Sequence, residues 1–481
     1  MRRALLAAVV AVLAIAAPAA AFTPSDPLAA KQWYLQDDHA FDAWPEPPTS
    51  FTPVKVAVVD SGIDCSLPDF QGRIADARSF VGGDPCTDTE GHGTFVAGVI
   101  AANLDTQGSV GIAYMSQLLV AKVVRADGTI PLQAESEAIH WAVDSGARVI
   151  NLSLGGVRDP VHPERDTYSP LEASAVAYAN TKGVLVVAAV GNADEAFSQP
   201  WPYASYPAAL PHVLGVSALT RSGNIPDYSN RDALFNDVSA PGSGIFSTLP
   251  LALTAQHPSC VDQGFSDCGS DDYRNAEGTS FAAPQVSAAA AVLFALDPAL
   301  TNNQAMELLE HSADDVNVST GCGRCIIGRD PYSGWGRLDV SRAVAALAGP
   351  LPAADHYEGN DNAGTDAYTA WGKSATLKAT LDYYDDPVDV YRVALGNAEH
   401  LAAKVVPSWP GARVTLTLWK PGTKRVDTAQ SRSLRAVQSK TAATVQRIGF
   451  TAPGRGWYYV EVRISAPGYG PYTLTLAKTT P

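Results

Sequence analysis

The 481-residue chain has no surplus of basic side chains: 34 Lys and Arg stand against 49 Asp and Glu, for a formal net charge of -15. Neutralising phosphates requires a concentrated basic face, so this balance argues against a nucleic-acid partner, and the acidity itself speaks for solubility. Beyond the N-terminus no segment approaches the roughly 20 consecutive apolar residues that a membrane-spanning helix needs. Cysteine is sparse, with six in the whole chain. Cys322-Gly323-Arg324-Cys325 has the spacing of half a zinc site, but no second such pair exists to complete four ligands.

What is present begins with an export signal. Arg2 and Arg3 form a charged start, residues 5–16 an apolar stretch too short for a comfortable span, and Ala19-Ala20-Ala21 a small-residue cleavage site. We expect residues 1–21 to be removed and the mature protein to be secreted, with no membrane attachment. Disulfides persist in that compartment. Six cysteines allow many pairings, and proximity in the chain favours Cys65 with Cys86, Cys260 with Cys268 and Cys322 with Cys325.

Between residues 54 and 347, apolar runs of strand length alternate with segments of helical period, the pattern of an α/β fold with a mostly parallel sheet covered by helices on both faces. Strands are expected at 54–59, 118–124, 149–154, 184–190 and 213–218. Helices are expected at 93–102, 132–145 and 171–182, with Gly146 and Gly183 as C-terminal stops. Ser280 opens an alanine-rich helix to Leu296, in which Pro284 is tolerable if it falls in the first turn. After residue 347 the texture changes. Residues 349–372, rich in Pro, Gly and Asp, read as a linker, and 373–481 as a small all-β sandwich with strands at 376–381, 388–395, 414–419, 457–464 and 472–476.

Three residues carry the chemistry. Asp60 follows a strand, His92 stands before Gly93 at a helix start, and Ser280 opens the alanine-rich helix. A serine hydroxyl is a poor nucleophile near neutral pH; it needs an imidazole to take its proton and a carboxylate to orient that imidazole. Singly, each residue has an ordinary structural use as a turn acid, a cap or an N-cap serine. All three would sit at the carboxyl ends of the strands, where open parallel sheets bind ligands.

Their surroundings widen the match. Val58-Val59-Asp60-Ser61-Gly62-Ile63-Asp64, Gly91-His92-Gly93-Thr94, Ser153-Leu154-Gly155-Gly156, Ala188-Ala189-Val190-Gly191-Asn192, Ser239-Ala240-Pro241-Gly242 and Gly278-Thr279-Ser280 resemble the signature segments of the subtilisin-like serine peptidases. The order acid, base, nucleophile is the one subtilisin uses. The resemblance covers residues 51–348, after an N-terminal arm at 22–50, and implies a serine endopeptidase acting on proteins or peptides as a monomer. In it Asp60, His92 and Ser280 form the catalytic triad, and the Asn192 amide with the Ser280 N–H forms the oxyanion hole. Ser153, Leu154 and Gly155 would pair with an extended substrate. Small residues line the pocket walls, which implies broad cleavage after apolar side chains; Asp194 and Glu195 raise a basic preference as the competing reading.

The resemblance further implies a structural calcium ion, with Asp69 and Asp105 at matching positions and Asp26 as a third ligand; solvated turn acids are the alternative. An unpaired Cys65 near the histidine would instead make activity thiol-sensitive, as in some subtilases. Two departures stand out. Only residues 22–50 lie where many secreted subtilases carry a propeptide domain, and Asp26-Pro27 with Lys31-Gln32-Trp33 resemble the mature arm instead. Gln285 replaces the histidine common after Ala-Ala-Pro. Residues 357–362 and the final strands are similar to the bacterial pre-peptidase C-terminal domain, with Gly359 where that domain usually has proline. Other readings are a silent binding protein on a peptidase framework and a processing peptidase of narrow specificity.

Overall fold

The computed structural model describes residues 22–44, 52–193, 198–254, 276–426, 429–439 and 444–480. The expected signal segment, Cys260, Cys268, Asp194 and Glu195 lie outside them. Seven strands, β1 (Lys55–Asp60), β2 (Ile74–Ser79), β3 (Gln117–Lys122), β4 (Val149–Leu152), β5 (Leu185–Ala189), β6 (Val213–Leu219) and β7 (Val238–Pro241), form one sheet in the order β2-β3-β1-β4-β5-β6-β7. Every pairing is parallel.

Alternation along each strand splits the apolar side chains between two cores, as the two-residue period of a strand requires. Val56, Val58, Leu118 and Val120 face the helices His92–Ala101 and Thr279–Leu296, whereas Ala57, Val59, Leu119 and Ala121 face Leu132–Asp144 and Pro170–Thr181. Strands buried on both faces read as unbroken apolar runs, which is why five were legible. The two that were not have other compositions. β2 is an edge strand carrying Asp76 and Arg78, and β7 spans four residues. Gly146 and Gly183 follow their helices with φ of 84° and 73°, the left-handed stop that glycine takes without penalty.

The serine helix corrects the sequence reading in two ways. It begins at Thr279, so Ser280 is its second residue, and Pro284 lies inside the helix rather than in its first turn. A proline there deprives the carbonyl four residues earlier of its donor. That carbonyl belongs to Ser280, and the Ser153 hydroxyl supplies the missing hydrogen bond at 2.7 Å. This helix is also the one described helix long and apolar enough to cross a membrane; most of it is buried at the centre of the α/β unit, where an all-round apolar helix belongs.

The C-terminal region is a two-sheet β-sandwich. One sheet orders β13 (Arg435–Gln438), β12 (Val414–Trp419), β15 (Gly456–Ile464), β10 (Val388–Leu395) and β8 (Tyr368–Thr369); the other orders β14 (Gln446–Thr451), β11 (His400–Pro407), β16 (Tyr469–Thr479) and β9 (Ser374–Asp382). Leu401, Val405, Leu474 and Leu476 of one sheet and Tyr391, Leu416, Val460 and Val462 of the other share a single core. Residues 349–372, expected as a linker, are bonded to both sides. Gln304 Nε2 donates to the Pro352 carbonyl (2.7 Å), Asn303 Nδ2 to Glu358 (2.6 Å), and Thr380 N to Asp355 (2.7 Å). His311 stacks on Tyr469 with ring centroids 4.0 Å apart.

The seam is closed by His212 Nε2 against Asp361 Oδ2 at 3.0 Å. Burial works against a proton on His212, but the Asp361 charge and hydrogen bond, with Glu358 and Asp385 beyond, push its pKa up to about 10. A histidine pKa raised on folding stabilises fully below its unfolded value of about 6.5, and the contribution fades as pH climbs through the folded value. We expect His212→Gln to lower Tm by a few degrees near pH 6, with the gap from wild type closing toward pH 10, measured by calorimetry across that range.

Candidate active site

The strand ends converge as the topology demands. Asp60 closes β1, and His92 opens its helix directly above it, with His92 Nδ1 2.8 Å from Asp60 Oδ1 and 3.0 Å from Oδ2. Asp60 is buried and also accepts the Ser61 N–H at 2.7 Å. The partial burial of the ring opposes its proton, but the charge and hydrogen bond of Asp60 outweigh that cost, with Asp88 and Glu90 adding to them, and the His92 pKa ends above its ordinary value. His92 Nε2 has no partner among the described residues.

Two residues that sequence reasoning passed over hold this pair in place. Asp88 caps the histidine helix: Oδ1 accepts the Gly91 N–H (2.9 Å) and Oδ2 the Thr94 N–H (2.9 Å) and hydroxyl (2.6 Å). Ser61 bridges from the strand, donating to Asp88 (2.9 Å) and accepting the Gly93 N–H (2.9 Å). An aspartate a few residues before an apolar helix is a readable cap signal. The disulfide between Cys65 and Cys86, present as expected, ties the loop leaving β1 to the loop entering this cap; Cys322 and Cys325 are also joined.

Ser280 lies across the cleft. Phe281, next in the chain, packs against both His92 (centroids 5.4 Å apart) and Phe95 (4.8 Å). The Ser280 hydroxyl donates to the Ser153 carbonyl at 3.1 Å and makes no hydrogen bond to His92 here. Serine and Ser153 are thus bonded reciprocally, since the Ser153 hydroxyl reaches the Ser280 carbonyl freed by Pro284. Behind them a buried relay runs from Ser287 to Asn151 (2.8 Å) and from Asn151 Nδ2 to Ser153 (2.9 Å), joining β4 to the serine helix. Gln285 is buried and donates to the carbonyls of Pro241 and Phe281, a structural use.

Asn192 follows β5. Its side-chain oxygen accepts from Thr279 N (3.0 Å) and Thr279 Oγ1 (3.1 Å), which fixes the amide orientation and leaves Nδ2 without a partner among the described residues. Ser280, second in its helix, has a backbone N–H with no intrahelical acceptor. Ser153, Leu154 and Gly155 leave β4 toward a two-way backbone bridge between Gly156 and Tyr206, 2.9 Å each way.

With this geometry the comparisons agree. A family model described as Subtilase family, Peptidase S8, matches residues 52–325, more than half the chain. The chain belongs to the subtilase family. It is a subtilisin-like serine peptidase, and 34% identical over 275 residues to subtilisin DY of Bacillus licheniformis, covering 57% of this chain and 88% of that one. It is 34% identical over 310 residues to the cell wall-associated protease of Bacillus subtilis (strain 168), but spans only 31% of that relative's length while 60% of this chain is matched. Among solved structures, sphericase superposes with a TM-score of 0.51 at 30% identity, over 64% of this chain and 97% of that one.

The acids expected as calcium ligands in this subtilase lie together around the N-terminal arm. Asp26 Oδ1 accepts the Asp105 N–H (3.0 Å), Asp69 Oδ2 accepts the Ser109 hydroxyl (3.1 Å), and the buried Asp26 Oδ2 has no partner. The three are not among the described groups whose ligand atoms gather within 4.8 Å. Burial, with Asp105 and Asp26 nearby, pushes Asp69 up to about 7 against hydrogen bonds from Thr248 and Ser109.

The dependence of the pair on close packing is testable. A Cβ on Gly93 would stand 2.1 Å from the Gly62 carbonyl oxygen and 3.1 Å from Asp60 Cβ. Gly93→Ala must therefore push the histidine helix off β1, and we expect a loss of about 1–3 kcal/mol in stability, the usual cost of overpacking, read by urea denaturation.

Proposed function

We propose that the chain is a secreted serine endopeptidase working through Asp60, His92 and Ser280, with export directed by residues 1–21. The observation that carries this reading is the bond from His92 Nδ1 to the buried Asp60, which presents the opposite ring nitrogen, Nε2, to the cleft that Ser280 borders. Catalytic hydrogen bonds in unliganded enzymes are commonly loose and tighten with substrate. A substrate N–H arriving at the Ser153 carbonyl would displace the Ser280 hydroxyl from it, and rotation about Cα–Cβ turns Oγ toward His92.

Attack of Oγ on the scissile carbonyl passes the hydroxyl proton to Nε2 and forms the tetrahedral intermediate. Asn192 Nδ2 and the Ser280 N–H stabilise its oxyanion. Collapse breaks the C–N bond, the amine leaves with the proton from Nε2, and water repeats the sequence to free the acid. The substrate backbone extends along Ser153, Leu154 and Gly155 as an added strand. Small side chains on both walls favour broad cleavage after apolar residues, and a peptide-library profile dominated by Arg or Lys would reject that preference.

The reading as a silent binding protein draws on one observation, the hydroxyl resting on Ser153 rather than on His92. Covalent labelling by a fluorophosphonate decides between them: we expect labelling of the wild type, abolished in Ser280→Ala. Asn192→Ala should retain its fold and lose about 10²–10³ in kcat, the size of effect that removing this donor has in subtilisin. Because His92 must be neutral to accept the proton, kcat/KM should rise with pH through a His92 pKa lying above 6.5. A pH–rate profile reads it directly.

We further propose a structural calcium ion at the N-terminal arm, held first by Asp26, with Asp69 and Asp105, whose oxygens do not gather with it within 4.8 Å, drawn in on binding. The unpartnered buried oxygen of Asp26 and the desolvated Asp69 support a hard cation among oxygen donors.

A further inference from the structure

A second group of acids lies far from the cleft, where the α/β unit meets the β-sandwich. Asp237 stands just before β7, Glu310 on the helix Asn302–Ser312, and Asp385 on the turn between β9 and β10. One carboxylate oxygen of each lies within 4.8 Å of the others. Glu310 is only 1% exposed, and both of its oxygens lack any hydrogen-bond partner.

The surroundings supply too little positive charge. Arg329 is the nearest guanidinium; its terminal nitrogens donate to the carbonyls of Ala233 (2.6 Å) and Leu234 (2.8 Å) and to Asp237 (3.1 Å) while it stacks on Tyr384. Its Nε is buried without a partner, and its one charge is shared among Asp237, Glu310 and Asp385. Asp237 also accepts the Gly215 N–H at 2.7 Å. Glu310 receives no such donor, and Asp385 lies within hydrogen-bonding reach of Glu310 itself, a contact between two carboxyl groups that needs a shared proton or a bridging cation. His212 lines the same small cavity, but its Nε2 is paired with Asp361 and none of its nitrogens belongs to this group. Burying an uncompensated carboxylate costs several kcal/mol, so the group must either take up protons or hold a cation.

We propose that Asp237, Glu310 and Asp385 bind one divalent cation of the calcium class, which clamps the peptidase unit to the β-sandwich. Two oxygens on opposite sides of a calcium ion at about 2.4 Å stand about 4.8 Å apart, so oxygens gathered this closely can all touch one ion. The donors are carboxylates only, which selects a hard cation, and calcium, unlike magnesium, does not demand a near-ideal octahedron. A cavity of about 20 Å³, lined by Glu310, Asp382 and Asp385 among others, has room for about one completing water. Burial drives Glu310 and Asp385 well above the usual carboxylate range and Asp237 up to about 7, the condition a bound cation would relieve.

The test uses the full-length protein, stripped with EGTA and titrated with calcium chloride by calorimetry. Glu310→Gln and Asp385→Asn should each bind one equivalent fewer than wild type, whereas Asp26→Asn should retain this site whatever it does to the arm. Asp385 is the less buried ligand, so its variant serves if Glu310→Gln does not fold. Equal stoichiometry and affinity in wild type and Asp385→Asn would overturn the proposal. So would an infrared band of a protonated carboxyl, present in calcium-loaded wild type and missing in Glu310→Gln, because a shared proton would then do the work assigned to the ion.

Discussion

The contact between His92 and Asp60 depends on how closely a helix can approach the end of a strand. Gly93 allows that approach, Ser61 spans it, and Asp88 satisfies the N–H groups that the helix start exposes. The result is an imidazole oriented through one nitrogen by a carboxylate that is itself buried. Hydrogen bonds to charged groups in a desolvated setting are stronger and more directional than those in water. The chemistry proposed for the cleft depends on that orientation.

The serine side is built on a different logic. Its helix is apolar on every face, so packing alone fixes its axis but says little about rotation and register. Polar links supply these. Ser287, Asn151 and Ser153 form a buried chain ending on the Ser280 carbonyl, and Thr279 fastens Asn192 from the preceding residue. Pro284 opens the carbonyl that this chain satisfies. A proline that looks like a helix defect thus becomes the acceptor site that registers Ser280 against β4.

The C-terminal sandwich is joined to this machinery away from the cleft, through a seam crowded with buried acids. A protonated histidine, an arginine and amide donors balance part of that charge. Such a junction is sensitive to protons and to cations, in contrast to the apolar cores on either side of it, where burial of hydrocarbon sets the stability and pH has little leverage.

Residue patterns alone determined the α/β architecture, the alternation of five strands with three helices, the β-rich tail and the family whose signature segments hold Asp60, His92, Asn192 and Ser280, because hydrophobic period and short motifs are local properties. The edge strand β2, with its charges, and strands β11 and β14, whose alternation is interrupted by basic and small residues, gave no comparable local signal. Nor could linear order reveal that Ser61 and Asp88 brace the histidine, that Ser153 answers Pro284, or that Asp237, Glu310 and Asp385 meet. Those relations join residues far apart in the chain, and only the packing of helices on the sheet, and of the sandwich on the helices, brings their polar atoms within bonding distance.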